Sequence, residues 1–160
     1  MSDHPPVLFL DMDGVLNGHD YDPKAESCTI RPACVARLNR VLDETGAVVV
    51  LSSAWRYMVL LGAMTLDGFG YMLRTHGVRK CRIIGTTAKD TQVEDPEERG
   101  RQIRAWLDAH PEVTRYVVVD DMKAGFSGLP IVRTDGLVGL TDADADAIIS
   151  SLNRVTNAPS

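Results

Sequence analysis

Three apolar runs without polar alternation constrain this chain more than any other feature: VLFL at residues 7–10, AVVVL at 47–51 and YVVV at 116–119. A strand with one wet face alternates polar and apolar residues. Unbroken runs describe strands covered on both faces, as in parallel sheets layered between helices. Helical patterns fall between them. RPACVARLNRVLDETG places Val35, Leu38 and Leu42 at helical spacing and stops at Gly46, a good C-terminal cap. EDPEERGRQIRAWLDAHPEV offers Asp95 as a cap, Pro96 in the first turn and Glu98 as capping-box partner, with Ile103, Trp106 and Leu107 as the apolar stripe. Weaker signals predict a helix within 66–76 and a strand at 82–84, with Gly85, Thr86 and Thr87 as the turn that follows. Thr141 caps a last helix through Ile148, Ile149 and Leu152. Strands alternating with helices give an α/β domain with a mainly parallel sheet.

A length of 160 residues suits one domain. We expect it to span 7–155, between short tails at 1–6 and 156–160. The net charge of −5 argues against a broad electrostatic grip on nucleic acid but leaves room for a local basic patch. Cys28, Cys34 and Cys81 are an odd count without metal-type spacing, which reads as reduced thiols in a cytoplasmic protein. The polar start MSDHPP is no signal peptide, no apolar run is long enough to span a bilayer, and nothing marks an obligate protein partner.

The strand ends carry the chemistry. The first run ends in Asp11-Met12-Asp13-Gly14, the second in Ser52-Ser53 and the third in Asp120-Asp121. Ligands of open parallel sheets sit outside the carboxyl ends of the strands. If these strands are neighbours, four carboxylates and two hydroxyls meet in one crevice. Clustered anions near a dry interior repel one another and lose hydration, so a counter-charge is required. A hard divalent cation with oxygen ligands supplies it, and Mg2+ suits a few carboxylates plus waters and a phosphate. A carboxylate there can attack phosphorus, while a second carboxylic acid protonates the leaving oxygen and later activates water. Gly14 permits the chain to bend between them.

The motifs FLDMDGVL, VVVLSS and VVVDD, in that order, resemble those of the haloacid dehalogenase-like (HAD) phosphatases. The resemblance implies a Rossmann-like fold and a Mg2+-dependent phosphomonoester hydrolase working through an aspartyl-phosphate. Asp11 is then the nucleophile, Asp13 the general acid/base, and Ser52 the holder of the phosphoryl group. Asp120 or Asp121 completes the metal site with Asp11 and the backbone carbonyl of Asp13. The family's third motif is a lysine, and here the chain departs: EERGRQI offers Arg99 and Arg101. Arg99 shares the stripe of Ile103 and Trp106, whereas Arg101 lies about 200° further around the helix. Arg99 is the better candidate, and Lys89 is the alternative. Gly14, Ser53 and Arg56 are candidate substrate contacts. Ser53 can equally cap a helix starting near Ala54, and Arg56 can equally be a surface residue. Trp55 reads as core, and His19, His76 and His110 as surface or helix-end residues.

Residues 15–31 suffice for a flap but not for a folded cap, and 57–94 is about what one helix, one strand and their loops require. The expected enzyme therefore has no large cap domain and an open site. Its motif wording is similar to small HAD domains associated with nucleic-acid end repair, which implies a nucleotide or a polynucleotide 3′- or 5′-phosphate as substrate. The alternatives are a phosphatase of a small phosphometabolite or, in a different class, a non-hydrolytic phosphate-binding or receiver-like module. Receiver domains pair their acids after the first strand, whereas this chain pairs them late.

Overall fold

A computed structural model describes residues 4–18, 30–52, 62–87 and 96–154. All three apolar runs form strands, β1 (Val7–Leu10), β2 (Val48–Leu51) and β4 (Tyr116–Asp120), joined by β3 (Ile83–Thr86) and β5 (Ile131–Arg133). The order is β3-β2-β1-β4-β5 and every pairing is parallel. β1, the central strand, has no residue more than 1% exposed. The helices are α1 (Pro32–Thr45), α2 (Leu66–Thr75), α3 (Pro96–Asp108) and α4 (Asp142–Asn153).

Alternate strand residues enter opposite layers. Leu8, Leu10, Val49, Leu51, Val117 and Val119 join one core with Leu38, Phe69, Leu73 and Ile148 of α1, α2 and α4. Val7, Phe9, Val48, Val50 and Val118 join a smaller core with Ile103 and Trp106 of α3. Phe9 meets the Trp106 ring edge-to-face, 5.4 Å between centroids, a favoured aromatic geometry. This two-sided burial is why the runs do not alternate.

Local signals explain the boundaries. The Gly46 N–H closes α1 on the Leu42 carbonyl, and Thr141 forms a capping box with Asp144 at α4. Asp95 lies outside the described residues. Glu98 accepts from Arg101 and Gln102 within α3. Strand boundaries differ from expectation, β4 running on through Asp120. β2 starts at Val48, and β3 runs from Ile83 to Thr86, so Gly85 and Thr86 pair with Val50 and Leu51 rather than turning away. The three-residue IVR segment forms β5, which its length and mixed polarity hid. Gly100, an unfavourable residue inside a helix, has a tertiary cause: a Cβ there would collide with the Gly125 carbonyl. It lets the loop after β4 lie directly on the first turns of α3.

Candidate active site

Period-two geometry sorts the strand ends. Val7 and Phe9 face α3, so Asp11, next in that alternation, does too; Ser52 follows Val48 and Val50, and Asp120 follows Val118. Leu10 is in register with both Leu51 and Val119. The next residues, Ser52, Asp11 and Asp120, therefore stand level on adjacent strands about 4.8 Å apart. The Ser52 N–H donates to the Leu10 carbonyl at 3.1 Å, and the Asp11 N–H to the Val119 carbonyl at 3.0 Å. Met12 is fully buried in the opposite core. One apolar side chain thus anchors the segment while Asp11 stays on the functional side.

The chain then bends at Gly14, whose φ is +78°, a conformation that glycine adopts readily. A Cβ on Gly14 would also collide with the Asp121 carboxylate. Two residues that carry no role in the motif pattern hold this bend. Buried Asn17 accepts from the Gly14 N–H at 2.9 Å and donates to the half-buried Asp13 carboxylate at 3.0 Å. Buried Thr134 donates to the Gly14 carbonyl at 2.7 Å, and its own N–H reaches the Asp120 carbonyl at 3.1 Å. Asn17 directly follows FLDMDGVL and is a residue type suited to closing a turn. Thr134 left no local trace, being 120 residues away.

Asp11, Asp120 and Asp121 each offer a carboxylate oxygen, all within 4.8 Å of one another. The Asp13 carboxylate is outside that group. Arg99 reaches in from the first turn of α3, its Nη1 2.7 Å from Asp120 Oδ2 and 3.5 Å from Asp11 Oδ2. Its side chain is 13% exposed, whereas that of Arg101 is 54% exposed and pairs with Glu98. Ser52 is fully buried. Ser53, Trp55, Arg56 and Lys89 lie outside the described residues, as do His19 and Cys28. His76 and His110 occupy helix ends.

Among the described residues, the guanidinium of Arg99 faces two of these three carboxylates. Burial, reinforced by the charge of Asp120 and opposed by Arg99, pushes Asp11 up to about 8. Burial also raises Asp120, again against Arg99. With no metal bound, Asp11 therefore tends to hold its proton at neutral pH. Three hard oxygen donors and a surplus of negative charge fit a divalent cation such as Mg2+. Asp11, Asp120 and Asp121 would be its ligands.

Among the described residues, no helix is long and apolar enough to cross a membrane. Among curated proteins and solved structures, none matches the chain. A family model does, over residues 7–145, from the first residue of β1 into α4. With the parallel sheet, the DMDG bend and the late acid pair all inside that span, this chain belongs to the family described as the HAD domain in Swiss Army Knife RNA repair proteins.

Proposed function

We propose that this chain is a Mg2+-dependent phosphomonoester hydrolase that removes phosphate from nucleotides or nucleic-acid ends through an aspartyl-phosphate on Asp11. One observation carries the reading: three carboxylates, on Asp11, Asp120 and Asp121, converge at the sheet edge with Arg99 on two of them. The family description, RNA repair, supports an end phosphate over a small metabolite.

Asp11 attacks phosphorus with a carboxylate oxygen, forming a P–O bond as the ester P–O bond breaks. Asp13 gives its proton to the departing alkoxide oxygen. It then takes a proton from water, which attacks the phosphoryl group and releases inorganic phosphate and the Asp11 carboxylate. Ser52 and Arg99 serve the non-bridging oxygens, where charge gathers, and Gly14, Ser53 and Arg56 are the remaining candidate substrate contacts. Bound Mg2+ supplies positive charge to those oxygens and keeps the carboxylates ionised. Asn17 positions Asp13 by holding its carboxylate. The reading includes a reducing, cytoplasmic setting, supported by the free thiols of Cys34 and Cys81.

The test is release of inorganic phosphate from 3′- and 5′-phosphorylated oligonucleotides, nucleoside monophosphates and sugar phosphates, with Mg2+ or chelator. We expect Mg2+-dependent turnover of the nucleic-acid substrates, lost by about 1,000-fold or more in Asp11→Asn, with an unchanged circular dichroism spectrum. Chelator-resistant turnover, or full activity in Asp11→Asn, would refute the mechanism. Oligonucleotide turnover should fall steeply with added salt; a flat salt response and a preference for sugar phosphates would select a metabolite phosphatase instead.

A further inference from the structure

The level row of side chains at the strand ends continues past Asp120. Asp120 is in register with Arg133, the last residue of β5. Ile131 packs against the same core as Val118, and Val132 against the opposite one. Arg133 therefore falls on the functional face, one strand spacing beyond Asp120. It is exposed, and its Nε donates to the Met122 carbonyl at 3.1 Å. The next residue of that loop, Lys123, is exposed as well.

Neither cation is neutralised. Among the described residues neither forms an ion pair, unlike Arg99 on Asp120 and Arg101 on Glu98. A guanidinium carries five N–H donors, and the Nε bond uses one of them. That bond also restrains the planar fork, whose remaining donors on Nη1 and Nη2 suit a phosphate gripped by parallel hydrogen bonds. Restraint before binding lowers the ordering cost of binding. Two acids on this flank are engaged elsewhere: Asp121 lies against Gly14, and Asp135 Oδ1 accepts the Leu137 N–H at 2.9 Å. The opposite flank differs. Between β3 and α3 lies an open cavity of about 160 Å³, whose described lining has Glu98 but no lysine or arginine.

Arg133 stands two strand spacings from Asp11, about 10 Å. A nucleic-acid strand carries one charge per about 3.4 Å of helix axis, so a cation there meets a backbone phosphate within about three nucleotides of a phosphate held at Asp11. We propose that Arg133, assisted by Lys123, binds an internal backbone phosphate of the polynucleotide whose terminal phosphate is removed. The strand then leaves the site over β4 and β5 rather than past β3. A local pair of cations reconciles such a substrate with a net charge of −5. The inference rests on the phosphatase reading and makes its substrate a strand end rather than a mononucleotide.

The probes are tetranucleotides phosphorylated at the 3′ or the 5′ end, read on whichever end is hydrolysed. Their internal linkages are either natural or methylphosphonate, which removes the charge. We expect kcat/KM to favour the natural strand by about tenfold or more, the worth of one charge-assisted hydrogen bond. The preference should fall sharply in Arg133→Gln, reach about one when Lys123→Gln is added, and survive in part in Arg133→Lys. A mere clamp on Met122 would slow both strands alike in Arg133→Gln and leave the preference unchanged, which overturns the proposal. Equal turnover of both strands by the native protein overturns it too and leaves the phosphatase standing. If no phosphomonoester is turned over, the phosphatase reading fails instead, and fluorescence anisotropy with the same two strands decides the subsite. Tighter binding of the natural strand that is lost in Arg133→Gln supports it. Equal binding, or a difference that Arg133→Gln leaves unchanged, overturns it.

Discussion

On one face of the sheet, α1, α2 and α4 bury a continuous apolar layer with Leu38, Phe69, Leu73 and Ile148 near its centre. On the other, α3 is the only described helix, and its apolar stripe of Ile103 and Trp106 gives way to Arg99, Glu98 and Gln102. The first face contributes burial. The second gives up part of its burial to carry charge, a glycine inside a helix and an open cavity. The same strands serve both, because their alternate residues point to opposite sides. Stability and chemistry are thus separable by face.

Arg99→Ala should break this separation most severely, since Asp11 and Asp120 would lose the cation they share. We expect phosphatase activity to fall at least 100-fold. The ion-free protein should lose on the order of 3 kcal/mol in urea denaturation. Mg2+ should restore much of that stability but not the activity, and Arg99→Lys should recover part of both. Leu38→Ala, on the apolar face, should show the opposite pattern. It is fully buried against α4 and the sheet, so stability should drop by about 3 kcal/mol while kcat per folded molecule stays within about twofold.

The smallest effect concerns pH and sharpens the contrast. Burial raises the folded pKa of Asp11 from 3.8 to about 8 and raises that of Asp120 as well. The folded, ion-free protein therefore binds these protons more tightly than the unfolded chain. The Asp11 contribution is fully present below about pH 4 and is lost as pH rises through about 8, and that of Asp120 is lost in the same direction. Asp43 and Asp142, on α1 and α4, are instead lowered by Arg79 and Arg37, so they change stability only below the usual carboxylate range. Between pH 5 and 8 the contributions of Asp43 and Asp142 therefore stay constant. Tm of the ion-free protein should fall across that window. The gain in Tm on adding Mg2+ should be larger at pH 8 than at pH 5, because ligands must shed their protons to bind. Equal gains at both pH values would place the cation away from Asp11.

Where local rules governed, the chain was readable. Unbroken apolar runs imply two-sided burial, and the Gly46 and Thr141 caps were visible as letters. The acids at the strand ends are legible in the sequence, and the fold brings those of Asp11, Asp120 and Asp121 together. The helical angle between Arg99 and Arg101 separated them because 3.6 residues per turn holds in any α-helix. β5 was missed because three residues carry too little pattern. Thr134 and the Gly100–Gly125 contact were missed because they depend on distant segments meeting.

By itself, then, the sequence determined which residue types end which strands, and hence the family of chemistry. It could also say that Asp11 and Asp13 needed a counter-charge. Only the tertiary structure decided that Leu10, Leu51 and Val119 share a register. That register sets Asp11, Ser52 and Asp120 level with one another and puts Arg99 among the acids. The physical reason is that a one-residue slip would turn each of these side chains to the other face. Such a register is fixed by the joint packing of two cores, which no single segment of the chain contains.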